Sequence, residues 1–402
     1  MISFQYTAKN GQGGTTKGIV QAETEGAAAK LLLAQGLTPI DIALKAEGNR
    51  LLTRFSSRVK TKDRIIFTRQ LSTLLNAGLP LTQSLHTVAE QTESKQLTLV
   101  VNEVIGTVEG GTSLSESLAK HPKVFNDVYI ALVAAGETSG TLDQALERIA
   151  DQQEKDADMI SKVRGALVYP IIVTFVIAAV VIFLLTTVVP QIQLLYRDFN
   201  KELPFLTAVL IGFANILINY WWLIILILIA GGFFLSRWLK TSSGIDLADR
   251  FKLNIPLFGD LFTKLYMARF SRTGQTLVAS GVQLIEMLNI TSRAVDNVHV
   301  ARAINRASKK VQGGKALSDS LKAEEVFVPL VPQMLKVGEQ SGSIDKMMGK
   351  SADYFETELD NKIKTISTTI EPVLMVVLAI VVGGIVLAIL VPVYGLASES
   401  LT

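Results

Sequence analysis

The 402-residue chain contains no cysteine and only three histidines. Disulfides and thiolate metal sites are thereby excluded, and little is left for imidazole chemistry. His86, His121 and His299 lie far apart in sequence. His86 shares a helix face with Glu90 but lacks the second histidine of a zinc-protease helix, which leaves a surface pair. Gly349-Lys350-Ser351 ends like a phosphate loop, yet Ile344 stands where that motif needs its first glycine and the segment reads as helix. No Ser-His-Asp or paired-carboxylate spacing is present, so composition and motifs supply no cofactor and no catalytic centre.

Charge is also scarce, at 19% of residues against 49% hydrophobic, and it is missing altogether from three stretches. Gly165–Tyr196, Leu203–Ser236 and Pro372–Ser398 hold no Asp, Glu, Lys, Arg or His. About 20 apolar residues cross a bilayer's hydrocarbon core, so each stretch spans once and none spans twice. Ile171–Val189 and Val373–Val391 each contain 14 Ile, Leu, Phe or Val in 19 residues. Those side chains favour insertion by roughly 4 to 8 kcal/mol per span.

The Lys and Arg residues flank one side of these spans. Lys155, Lys162, Arg164, Arg237, Lys240, Arg250, Lys252, Lys362 and Lys364 stand on that side, and Arg197 with Lys201 on the other. The bias puts both large polar regions in the cytoplasm and, with three spans, the C-terminal tail across the membrane. The net charge of +3 is too small to argue for nucleic acid. The first thirty residues have no apolar signal region, and the first span is expected to act as the insertion signal.

What is present is a duplication. Gly136-Glu137-Thr138-Ser139-Gly140-Thr141-Leu142-Asp143 recurs 202 residues later as Gly338-Glu339-Gln340-Ser341-Gly342-Ser343-Ile344-Asp345. Pro170 and Pro190 recur at the same offset as Pro372 and Pro392. Upstream, Phe67, Gly78, Gly110 and Gly111 match Phe270, Gly281, Gly313 and Gly314 at an offset of 203, one residue being lost near His121.

Helical periodicity runs through each copy, broken at Asn76-Ala77-Gly78-Leu79-Pro80, at Gly110-Gly111 and at His121-Pro122. Ser113 with Glu116 and Thr141 with Gln144 fit capping boxes, while Ala316 replaces the first of these caps in the second copy. A helix over Val124–Ala135 is expected to close at Gly136. No breaker lies between Leu142 and Pro170, which predicts one rigid helix from the polar region into the first span, bent at Pro170.

The resulting domain reading is a mainly α integral membrane protein with two duplicated cytoplasmic helical bundles, three transmembrane helices and a small N-terminal α+β module. Residues 1–44 form the module, whose Phe4, Tyr6 and Ala8 alternate as in a strand, and 45–62 a basic linker with Arg50, Arg54, Arg58 and Lys60. The first bundle is 63–167, the first span 168–190, and an external loop with an interfacial segment 191–215. The second span is 216–236, with Trp221, Trp222 and Trp238 as interfacial anchors. The second bundle is 237–370, the third span 371–394 and the tail 395–402.

The recurring carboxylates Glu137, Asp143, Glu339 and Asp345 have two readings: negative charge at helix N-termini, or a contact to a partner or a hard cation such as Ca²⁺. Glu371 at the mouth of the third span is either functional or reaches for water. Gly383-Gly384 allows close approach of another span, a second subunit or a client helix.

Together, Phe4 to Ala8 with Gly18 to Ala22, Phe67 to Leu75 with Ala77 to Leu81, Gly110-Gly111 with Ser113-Leu114, the two Gly-Glu-x-Ser-Gly stretches and Glu371-Pro372 resemble one family. It is that of the inner-membrane platform proteins of type IV pilus and type II secretion machines, the GspF/PilC family. The resemblance implies a non-enzymatic scaffold in the bacterial inner membrane that couples a hexameric cytoplasmic assembly or retraction ATPase to pilin or pseudopilin helices leaving the membrane. It further implies contact with other inner-membrane assembly proteins and self-association. A membrane-anchored receptor or a transporter subunit is the alternative class. A transporter needs a polar path that three uncharged spans do not offer.

Overall fold

The computed structural model describes residues 2–9, 15–22, 25–34, 36–44, 59–198, 205–256 and 258–399. The basic residues Arg50, Arg54 and Arg58, residues 10–14 and the last residues of the tail lie outside them. Residues 1–58 and 59–402 form two compact units.

In the first unit, the alternating residues near the N-terminus form strand β1 (Ile2–Lys9). It pairs antiparallel with β2 (Thr15–Ala22) and with β3 (Thr38–Leu44), giving the order β2-β1-β3. Helix α1 (Glu25–Ala34) completes the module, with Ala8 and Leu32 fully buried. Gly18 faces Tyr6 across the β1–β2 pair, and a Cβ there would come within 2.6 Å of the Tyr6 hydroxyl. Strand β2 starts three residues before Gly18, because the threonines at 15 and 16 suit a pleated strand.

The second unit is helical throughout its described residues. Its first repeat comprises α2 (Thr61–Asn76), α3 (Leu81–Gln91), α4 (Lys95–Glu109), α5 (Leu114–Ala119), α6 (Asp127–Ser139) and the long α7 (Leu142–Phe183). A π-turn (Leu184–Val188) carries α7 into α8 (Val189–Asp198), α9 (Phe205–Asn219) and α10 (Trp221–Trp238). The second repeat comprises α11 (Ser242–Asn254), α12 (Gly259–Ala279), α13 (Leu284–Ala294), α14 (Val298–Gln312), α15 (Leu317–Lys322), α16 (Leu330–Ser341) and α17 (Ile344–Glu399). At about 1.5 Å per residue, α7 and α17 are rods of roughly 63 and 84 Å.

Several expectations are corrected. Helix α6 starts at Asp127, where Asn126 accepts from the Tyr129 amide at 3.0 Å, and it runs through Gly136 to end at Ser139. The left-handed residue that stops it is Gly140, with φ 71°. The Thr141–Gln144 capping box does not form: Thr141 makes no cap bond, and its hydroxyl meets that of Ser139 at 2.7 Å. The His86 imidazole meets Glu109 at 2.8 Å on α4 rather than Glu90 on its own helix.

The chain after Pro190 is helical through Asp198, where an external loop was expected. Pro190 has no N–H for the preceding turn and crowds its carbonyls, and the chain answers with a π-turn instead of a break. The second apolar run breaks at Tyr220 (φ −118°, ψ 20°), so its span-length helix is α10, bounded by Trp221 and Trp238. Residues 395–399 continue α17.

Among the described residues three helices are long and apolar enough to cross a membrane, lying within residues 142–191, 221–238 and 344–391. The π-turn residue Leu185 and Val189 are buried with Ile211 and Ala214 of α9, and the Thr207 hydroxyl donates to the Ala388 carbonyl at 2.8 Å. Helix α10 has no buried residue. The two polar repeats are not separate bodies, because one continuous apolar core runs from Phe67 and Leu71 in the first to Phe270 and Phe355 in the second. Apolar faces at helical spacing in both repeats meet through α7, which packs on α12 and on α17.

Candidate functional joint

Each repeat ends in the same joint. Helix α5 begins after Gly110-Gly111, with Gly111 at φ 91° turning the chain. Its first amides would be unsatisfied, as at any helix start. The Glu137 carboxylate, in the last turn of α6, accepts from the amides of Leu114 and Ser115, the latter at 3.0 Å. Ser113 adds a local cap to the Glu116 amide at 3.2 Å.

In the second repeat Glu339 accepts from the amides of Leu317 and Ser318 and from the Ser318 hydroxyl. Ala316 makes no cap bond, and the Ser318 hydroxyl bond to Glu339 stands beside that loss. The recurring glutamates therefore tie α6 to α5 and α16 to α15, carboxylate to positive helix end. Asp143 and Asp345 lie in the first turns of the two rods, half-buried. Among the described residues no three His, Asp or Glu side chains are grouped so as to hold a metal ion.

The glycines of the joint do two different jobs. A Cβ on Gly136 would lie 2.6 Å from the Ala145 Cβ and 3.1 Å from the Leu142 Cα, and one on Gly338 would lie 2.9 Å from the Ile344 Cα. These positions let the helix before the joint press directly on the base of the rod. Gly140 and Gly342 (φ 71° and 65°) reverse the chain between them. Gly78, Gly281 and Gly314 likewise take positive φ at helix ends, while Gly110 and Gly313 precede the turning glycines.

Below the joint a second duplicated device bolts each rod to its bundle. The Arg69 guanidinium on α2 binds Glu154 through Nε (2.8 Å) and Nη2 (2.7 Å) and also reaches Asp151 on α7. Arg272 on α12 binds Glu356 (2.8 Å from both Nε and Nη2) and Asp353 (2.6 Å) on α17. Arg272, Asp353 and Glu356 are the positions of Arg69, Asp151 and Glu154 in the second repeat. The hydrogen bonds that Arg69 donates to Glu154 and Asp151 raise its pKa, and the same bond holds the Glu154 carboxyl below its usual range. These six residues escaped the sequence reading, although Asp-x-x-Glu recurring at the repeat offset was the signal that could have found them.

The seam between repeats is polar, and its residues Gln152, Asp156, Arg269 and Thr273 line a cleft of about 330 Å³. The Arg148 guanidinium of α7 donates to the Ala279 carbonyl (2.7 Å) and meets the Ser280 hydroxyl (3.1 Å), both at the end of α12. Gln152 donates to Thr273 at 2.9 Å, Arg269 pairs with Asp156 at 2.7 Å and Lys162 pairs with Asp360 of the other rod at 2.9 Å. Arg64 lines the cleft, donating to the Val124 carbonyl at 2.8 Å, and burial lowers its pKa. Burial likewise pushes the Tyr129 hydroxyl up to about 12, against the Thr68 hydrogen bond and the nearby Arg64 charge.

At the membrane edge Pro170 lies inside α7, and Glu371 and Pro372 are exposed on α17. No side chain of the described residues comes within 4 Å of a Cβ placed on Gly383 or Gly384.

The family described as type II secretion system protein F matches residues 67–190 and 270–392, one match per repeat, and its N-terminal domain matches residues 1–43. The chain is 38% identical over 399 residues to the type IV pilus assembly protein PilC of Thermus thermophilus, covering 98% of each chain. It is 36% identical to PilC of Pseudomonas aeruginosa, covering 91% of this chain and 98% of that one. To the type II secretion system protein F of Vibrio cholerae it is 31% identical, covering 98% of each. With its two matched repeats, each closed by a Gly-Glu joint above a rod, the chain belongs to the type II secretion system protein F family, which includes the PilC proteins of type IV pilus assembly.

Proposed function

We propose that the protein is the inner-membrane platform of a pilus-assembly or type II secretion machine, a structural part that passes movement of a cytoplasmic ATPase into the bilayer. The observation that carries this reading is the continuity of the rods. Helix α7 is helical from the joint at Leu142 to Phe183, and α17 from Ile344 to Glu399. A helix without a break carries displacement along its length, while the joints and arginine clamps hold the bundle to the base of each rod. The partners are a hexameric assembly or retraction ATPase against the polar repeats and pilin or pseudopilin helices against the spans. Other assembly proteins of the same membrane and a second copy of the chain complete the set.

In this reading the N-terminal module and both polar repeats are cytoplasmic and the chain end lies across the membrane, in keeping with the Lys and Arg bias. The decisive experiment inserts Gly-Gly after Ile160, between joint and membrane. Filament assembly or secretion is expected to fail while the protein still reaches the membrane at normal levels and still recruits the ATPase. Normal assembly in that variant would overturn the coupling.

A further inference from the structure

Helix α11 follows the span-length helix α10 after three residues, and a tight junction fixes its place. The Thr241 amide and hydroxyl both donate to the Trp238 carbonyl, at 2.9 and 2.6 Å, and the same hydroxyl accepts from the Gly244 amide at 3.2 Å. A Cβ on Gly244 would collide with that carbonyl and lie 3.0 Å from the Leu239 Cα. Carbonyls in a last helical turn point out along the helix axis. The Gly244 side of α11 therefore lies across the end of α10, and α11 does not run back along it.

The opposite side of α11 is docked on the second repeat. The buried Asp249 carboxylate accepts from the Val298 amide at the start of α14 at 2.9 Å, Asp246 pairs with Arg302 of α14, and Leu253 packs against the core. At 3.6 residues per turn these three lie roughly 140° to 180° around the helix from Gly244. Leu247, Ala248 and Phe251 lie within about 60° of it, with Ile245 at about 100°. Phe251 is 66% exposed and Leu247 55%. An apolar strip thus stays open on the one side of α11 that abuts the end of a membrane-length helix.

Charge is arranged around the strip to match. Arg237 stands in the last turn of α10, its guanidinium 5.4 Å from the Phe233 ring centroid, with Lys240 in the connection and Arg250 on the flank of the strip. Lys240 and Arg250 are exposed and make no ion pair among the described residues, whereas the two acidic groups of α11 are engaged on its docked side. Exposed Phe and Leu within a cationic rim is the make-up of a helix that lies in a membrane surface, apolar side among the acyl chains and cations on anionic headgroups. The first turns of α11 have no helical counterpart in the first repeat, where the repeat offset sets strand β3.

We infer that α11 lies in the bilayer surface at the end of α10, with Leu247 and Phe251 sunk between acyl chains and Lys240 and Arg250 against the headgroups of anionic phospholipid. The inference rests on α10 as a span and is independent of coupling to an ATPase. It gives the second repeat a footing on the membrane apart from its rod, since Asp246 and Asp249 tie α14 and the core behind it to the helix that rests on lipid.

The absence of native cysteine makes the test direct. Leu247→Cys, Phe251→Cys, Ile227→Cys within α10 and Lys322→Cys beside the second joint are each labelled with a nitrobenzoxadiazole probe in the whole chain. Each is placed in lipid nanodiscs of phosphatidylcholine and phosphatidylglycerol in equal parts, with no other protein present. A lipid nitroxide near the headgroup is expected to quench the probes at 247 and 251 at least twofold more than the probe at 322, and a nitroxide near the chain end to quench the probe at 227. Lys240→Glu with Arg250→Glu is expected to cut the quenching at 251 at least twofold, with 227 and the melting profile in detergent unchanged. Quenching at 247 and 251 no stronger than at 322, with 227 quenched, would overturn the inference, whether or not another protein covers the strip in the cell. Loss of quenching at 227 as well would overturn it together with the span on which it rests, and undiminished quenching at 251 in the Lys240→Glu, Arg250→Glu variant would overturn the headgroup contact.

Discussion

At the residue scale the informative side chains are those that hold one helix on another. Glu137 and Glu339 satisfy amides at the starts of α5 and α15 that no intrahelical carbonyl can reach. Replacing Glu339 by Ala leaves those donors unpaired with no serine cap behind them, and is expected to cost about 1–3 kcal/mol, seen as a lower denaturation midpoint. Glu137→Ala should cost less, because Ser113 still caps α5. Gly140→Val and Gly342→Val, which strain a left-handed position, are each expected to misfold one repeat and abolish filament assembly. Gly136→Val fails for a different reason, overpacking on Ala145 by about 1–3 kcal/mol or more. Normal piliation or secretion with normal protein levels in the Gly140 or Gly342 variant would refute that account.

A pH dependence belongs at the same scale. Glu324 is buried, which by itself raises its pKa, but hydrogen bonds from Arg306 (Nε, 3.0 Å) and Lys310 (3.1 Å) outweigh burial and lower it. A depressed carboxyl pKa contributes stability that is complete above the ordinary glutamate range of about 4.3 and is lost as pH falls through the folded value. Acid unfolding of Glu324→Gln, followed by helical circular dichroism, should accordingly be less steep below that range than in the wild type. Equal acid slopes would rule the contribution out.

At the scale of elements, the two arginine clamps show how a repeat is held to its rod. Arg272 is the less exposed of the pair, at 11% of its side chain against 35% for Arg69. Arg272→Ala strands two carboxylates and is expected to destabilise by about 1–3 kcal/mol, with Arg69→Ala nearer the low end because solvent screens it. Comparative thermal melts of the two variants in detergent check the order. Helix α10 differs from both rods in having no buried residue of its own.

For the whole molecule, topology is the measurable property. Reporter fusions after Ser57 and Lys264 are expected to read as cytoplasmic, and an external reading at either site would reject the proposed orientation.

The sequence by itself determined what local chemistry controls: three charge-free runs long enough to span, a duplication, positive-φ glycines at helix ends and a rod unbroken from Leu142. These are short-range properties, set by hydropathy, backbone sterics and the absence of a breaker. Where Gly136 sits mid-helix instead of ending one, the decision belonged to Ala145 and Leu142 arriving from the next helix. The π-turn at Leu184, the reach of Glu137 to α5, the clamps on Asp151 and Asp353 and the Lys162–Asp360 contact between rods were likewise tertiary. Each joins groups separated along the chain, or answers to a neighbour that packing alone brings near. Periodicity therefore marked the rods, and only the packing of α7 on α12 and α17 made two repeats into one body.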